Sequence, residues 1–121
     1  MDSGKEFDLA KNIVKILNDK KAQDIQVLTV RDKTILADYF IIASGSSGVQ
    51  TRALADELIS KTSEIYGIRP SRTEGLQHAN WILLDYGSVI AHIFHGETRD
   101  FYNLEKLWSD GSEAPLEEFL V

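Results

Sequence analysis

Residues 81–108, WILLDYGSVIAHIFHGETRDFYNLEKLW, decide how this chain folds. Two apolar, strand-like runs, 81–85 and 88–95, flank Tyr86 and Gly87, and glycine tolerates the positive φ that a tight hairpin turn needs. A two-residue turn at Tyr86-Gly87 sets a register in which Asp85 pairs with Ser88, Leu83 with Ile90, and Trp81 with His92. Side chains alternate across a pleat, so Ile82, Leu84, Val89, Ala91 and Ile93 share one apolar face, the side expected to meet the core. Trp81, Leu83, Asp85, Ile90, His92 and Phe94 share the other. That mixture of aromatic, aliphatic and ionisable groups suits a partly wet recognition surface and is the first candidate for function.

Outward from the hairpin the chain alternates helix and strand, without internal repeats or low-complexity segments, which predicts a single α/β domain over 1–121. Ser3-x-x-Glu6 has the form of a capping box, and Leu9, Ala10, Ile13, Val14 and Leu17 follow at helical spacing, so a first helix is expected over about 5–18. The β-branched runs 25–30 and 35–44, separated by the polar turn 31–34, predict an antiparallel strand pair. A second helix is expected over about 49–66, with Ser47-x-x-Gln50 capping its start and Gly67 stopping it. Residues 69–79 carry Pro70 and Gly75 and no period, which predicts a loop. A third helix is expected over 100–108, and the tail 111–121 holds a Pro-started helical turn.

With no cysteine, the chain has neither a disulfide framework nor thiolate chemistry, and Cys-type zinc sites are excluded. The N-terminus alternates charge with apolar residues, and no window approaches the roughly 20 apolar residues of a membrane span, so a cytoplasmic protein is expected. The formal charge of −6 disfavours phosphate neutralisation along a basic face. It suits approach to a basic protein, although mild acidity also serves solubility alone.

Three constellations invite a chemical role, each beside a plainer structural one. Ser44-Gly45-Ser46-Ser47-Gly48, between a strand and a helix, could offer backbone N–H groups to an anion, but it lacks the lysine of a P-loop and the spacing of a dinucleotide fingerprint. A capped strand-to-helix turn accounts for the same residues. His92 and His95 are an odd number apart on a strand, so they face opposite ways and, even with His78, do not make a regular metal site. A two-metal transferase needs converging carboxylates, whereas the hairpin strands offer Asp85 alone, and Asp56 and Glu57, adjacent on a helix, project apart. No catalytic, cofactor or metal residue is therefore assigned.

The runs DIQVLTVRDKTILADYFIIASGSSGVQTRALADEL (24–58) and EGLQHANWILLDYGSVIAHIFHGETRDFYNLEKLW (74–108) resemble the ribosomal silencing factor family, RsfS, also called Iojap. The likeness covers about 24–110 and is carried by Ala37-Asp38-Tyr39-Phe40, Ser44-Gly45-Ser46, Glu74-Gly75, Trp81 with Asp85-Tyr86-Gly87, His92, and the run from Arg99 to Trp108. It implies a nucleotidyltransferase-like mixed sheet flanked by helices without the transferase carboxylates. It implies binding to the large ribosomal subunit, chiefly at its fourteenth ribosomal protein, which blocks joining with the small subunit and lowers translation when nutrients are scarce. It leaves room for a homodimer off the ribosome. A small nucleotide-binding or nucleotidyltransferase-like enzyme using the Gly-Ser turn is the alternative.

From the hairpin register, Trp81 is a candidate contact with the rigid area of an interface hot spot, and Asp85 a candidate acceptor for a basic partner. Trp81 packed in the core beneath the third helix is the competing expectation. His92, on the same face, is a candidate contact too, and its competing expectation is cross-strand packing against Trp81 with one ring nitrogen bonded locally. Phe101, Leu104 and Leu107 or Trp108 are expected to bury one side of the third helix, leaving Arg99, Asp100, Tyr102 and Glu105 as further candidate contacts.

Overall fold

The structure, a computed structural model, describes residues 3–30 and 37–96 and a short strand at 113–114, with side chains described over 7–30 and 37–96. Helix α1 (Ser3–Asp19) buries the expected stripe of Leu9, Ala10, Ile13, Val14 and Leu17. Strands β1 (Gln23–Thr29) and β2 (Tyr39–Gly45) then pair antiparallel as the sequence predicts, with a bulge between Gln23 and Gln26 where Asp24 takes a positive φ.

Helix α2 (Gly48–Tyr66) begins and ends where its caps put it. Ser47 Oγ accepts the Gln50 N–H at 3.0 Å, and Gly67, in the left-handed region, donates to the Ser63 carbonyl. Beyond it come β3 (Arg72–Glu74), β4 (Trp81–Asp85), β5 (Val89–His95) and β6 (Glu113–Ala114).

The strands form one mixed sheet in the order β3-β4-β5-β2-β1-β6, in which β2 and β5 run parallel and every other pair antiparallel. This is the expected α/β architecture. Both helices cover one face, where Val27, Ile41, Ala43, Ile82, Leu84, Val89, Ala91 and Ile93 meet Ile13, Leu17, Leu54 and Leu58. Leu28, Val30, Ala37, Ile42 and Phe94 form a second buried cluster, on the opposite side, with Phe40, Trp81 and Ile90 packed against it.

Three expectations change. The stretch 69–79 is not all loop, because β3 adds a three-residue edge strand to β4. All three of its residues are exposed, so it carries no burial alternation from which a strand could be read. The hairpin register also moves by two residues: Asp85 pairs with Ile90, Leu83 with His92, and Trp81 with Phe94. The Tyr86 N–H donates to the Val89 carbonyl at 2.9 Å, so Tyr86 is the last paired residue and the turn is Gly87-Ser88. Positive φ at Gly87 but not at Ser88 is the pattern of a type II′ turn, which takes glycine first. An even shift leaves every side chain on its face, so both predicted faces survive the change. The tail also differs from expectation where it is described, since 113–114 pair with β1 as β6; the predicted turn at 31–34, the side chains of Ser3-x-x-Glu6, the third helix over 100–108 and the tail from 115 lie outside the described residues.

Candidate functional site

The face away from the helices is where the sequence places its candidate contacts. At its centre is a cluster of rings. Trp81 stacks on its cross-strand partner Phe94 with centroids 5.1 Å apart and planes inclined by 28°. It also reaches diagonally to His92, where the indole Nε1–H donates to Nδ1 at 3.1 Å. Phe40, on the neighbouring β2, meets the edge of His92 at 4.8 Å between centroids.

His92 is 4% exposed. It thus takes the packed, locally bonded position and not that of a surface contact, because burial leaves its ring beneath the surface that Trp81 helps to make. Burial disfavours the imidazolium and pushes its pKa down to about 4, so the ring is neutral at physiological pH. Trp81 is half-buried: one part of the ring packs on the second cluster and another part remains accessible. The face is therefore drier than its sequence suggests, because an aromatic layer fills its middle.

Asp85 lies at the turn end of β4. Its Oδ1 accepts the Gly87 N–H at 2.8 Å and its Oδ2 lies 3.9 Å from Arg72 Nη2. Arg72 is paired with Asp85 across the strands and Glu74 with Leu83, so both charges of β3 share the face of Trp81. Arg72 Nε is 3.3 Å from Glu74 Oε2. Neither residue was a candidate from the sequence; the signal was a pair of opposite charges two apart, on one face of any extended segment. Gly75 follows with φ of 83°, and a Cβ there would run into the Trp81 carbonyl oxygen, so the chain turns tightly against the start of β4. Arg99, Asp100, Tyr102 and Glu105 lie outside the described residues.

The Gly-Ser turn has its own structural occupation. The Ser46 N–H donates to Gln50 Oε1, the Gln50 N–H to Ser47 Oγ, and the Thr51 N–H to the Ser47 carbonyl at 2.9 Å. Those donors are spent on capping. A Cβ on Gly45 would lie 2.5 Å from Thr51 Oγ1, so the glycine makes room for α2. Asp56, on α2, pairs with Arg52 at 3.4 Å and is separated by the sheet from Asp85. Among the described residues no group of three or more His, Asp or Glu side chains is placed to hold a metal ion, and no helix is long and apolar enough to cross a membrane.

Comparison with known proteins extends the likeness along the chain. The family model described as "Ribosomal silencing factor during starvation" matches residues 3–120, reaching beyond 24–110 at both ends. The ribosomal silencing factor RsfS of Halalkalibacterium halodurans is 41% identical over 104 residues, covering 86% of this chain and 88% of that protein. The mouse protein named mitochondrial assembly of ribosomal large subunit protein 1 is 33% identical over 88% of this chain, which spans 47% of that longer protein. A crystal structure of a Chromobacterium violaceum protein superposes with a TM-score of 0.80 at 33% identity, covering 95% of this chain and 91% of that one. By sequence over nearly its whole length, and by fold, this chain belongs to the ribosomal silencing factor family.

Proposed function

We propose that the protein docks on the large ribosomal subunit, chiefly on the fourteenth ribosomal protein, and by occupying that surface keeps the small subunit from joining. It acts in the cytoplasm as a repressor of translation under nutrient limitation, by stoichiometric occupancy and without turnover. The observation that carries this reading is membership of a family described by ribosomal silencing during starvation, over residues 3–120. The name of the mouse relative adds the large subunit.

Physical chemistry supports the mode of docking. A net charge of −6 attracts a basic ribosomal protein at long range and is repelled by the surrounding RNA, which favours a protein-mediated contact. Trp81 supplies rigid apolar area, and Asp85 and Glu74, 21% and 59% exposed, supply carboxylates to basic side chains at its rim. His92 supports this surface from beneath. In a sedimentation assay the protein should travel with isolated large subunits and be absent from joined ribosomes, with inhibition of joining rising in proportion to occupancy. Normal joining at saturating protein overturns the proposal.

A further inference from the structure

The histidine at the centre of the aromatic layer is a poor choice for packing alone. Because Nδ1 accepts the Trp81 indole proton, a neutral His92 carries its own proton on Nε2. That Nε2 is buried and finds no partner among the described residues. An unpartnered buried donor destabilises a fold, and a phenylalanine among Phe40, Phe94 and Trp81 would fill much the same volume without it. What phenylalanine cannot do is accept a hydrogen bond.

Among the described residues, two constraints meet on Trp81. Stacking on Phe94 limits the plane of the indole, and the bond to Nδ1 limits its rotation within that plane. Remove the acceptor and the indole N–H, which seeks a partner when buried, is drawn toward water. We propose that His92 is a positioning residue, whose Nδ1 holds the Trp81 indole in the orientation that meets the partner. This rests on the reading of Trp81 as a ribosome contact.

The test is a pair of variants whose effects on packing and on binding run in opposite directions. His92→Phe fills the site and loses the acceptor; His92→Asn leaves a gap but puts Oδ1 near the position of Nδ1. Binding of each folded protein to isolated large subunits is measured by pelleting, stability by thermal melting, and the Trp81 indole N–H by its proton–nitrogen resonance, assigned with Trp81→Phe. His92→Phe, which trades the unpartnered Nε2–H for an indole N–H without its acceptor, should melt close to wild type yet bind about fivefold more weakly, the effect of one lost hydrogen bond, with the indole resonance shifted and its exchange faster. His92→Asn should melt lower yet bind within about twofold of wild type and keep the resonance protected. If His92→Phe binds as well as wild type, or His92→Asn binds as poorly as His92→Phe, the positioning role is overturned. If wild type itself fails to pellet with large subunits, the docking reading fails and this role falls with it.

Discussion

The Tyr86 hydroxyl lies 3.0 Å from Thr62 Oγ1, tying the end of β4 to α2 on the core face of the sheet. Tyr86 has the even parity of Ile82 and Leu84 and packs beside them against the helix-covered core. Its hydroxyl is partly buried, and burial raises its pKa while the Thr62 bond lowers it. Tyr86→Phe should therefore lower stability by about 1 kcal/mol, the usual net value of one such bond. Denaturant unfolding of Tyr86→Phe, Thr62→Val and the double variant checks this. A coupling energy near zero would mean that the two hydroxyls act independently.

At the other end of α2, Gly45 and Gly48 should respond to alanine with opposite severity. A Cβ on Gly45 meets Thr51 Oγ1, N and Cα at 2.5, 2.8 and 2.9 Å, and two of those are backbone atoms that cannot swing away. Nothing lies within 4 Å of a Cβ on Gly48. Gly45→Ala should destabilise by about 1 to 3 kcal/mol through overpacking, whereas Gly48→Ala should be neutral or slightly stabilising in a helix. Thermal melts separate the two. Equal effects would show that the turn yields where its packing says it is fixed.

How far the sequence could be read depends on which physical rule each feature obeys. The two faces of the hairpin were legible because parity survives an even slip, so Ile82 and Ile93 stay in the core whether or not Tyr86 belongs to the turn. The register was not, since Tyr86-Gly87 and Gly87-Ser88 both offer a glycine at a two-residue turn and only the core-facing tyrosine separates them. Helix α2 was legible from its caps, Ser47 and Gly67. Strand β3 was hidden, because Arg72 and Glu74 are exposed charges and an edge strand of three residues has no apolar period. The candidate contacts Trp81, Asp85 and His92 were placed on one face correctly, yet Phe40, Ile42 and Leu28, which turn that face into a second packed layer, come from strands distant in sequence. No local pattern announces such a layer.

Acid should expose the histidine at its centre. His92 has a pKa of about 4 in the folded protein against 6.5 when free, because burial penalises the charged ring. Between these values the unfolded chain binds a proton that the folded one does not, so stability falls as pH drops from about 6.5 to 4 and changes little from this source above 6.5. A shift of this size corresponds to about 3 kcal/mol. Carboxylate titrations are shared by wild type and His92→Phe, so the difference between their stability curves isolates the histidine. The gap should widen in favour of His92→Phe on acidification. A constant gap from pH 7 to pH 4 would contradict the buried neutral ring.

The docking face itself is tested by three substitutions on one strand. Ile82 is fully buried between sheet and helices, so Ile82→Ala should cost about 2 to 5 kcal/mol of stability, with binding unchanged for the molecules that remain folded. Trp81→Ala removes the stacked ring over Phe94 and leaves His92 Nδ1 without its donor, so some stability is lost; the larger effect should be on large-subunit binding, on the order of 2 kcal/mol for a hot-spot aromatic. Asp85→Asn is the cleanest of the three, because an amide oxygen can still accept the Gly87 N–H at 2.8 Å and the turn keeps its geometry while the charge disappears. Its melting temperature should stay close to wild type, and association with large subunits should slow and become less sensitive to salt. Pelleting at two salt concentrations together with thermal melts distinguishes these outcomes. Should folded Trp81→Ala bind normally, the indole serves packing alone, the face of β4 is not the contact, and the docking surface must be sought among Arg99, Asp100, Tyr102 and Glu105.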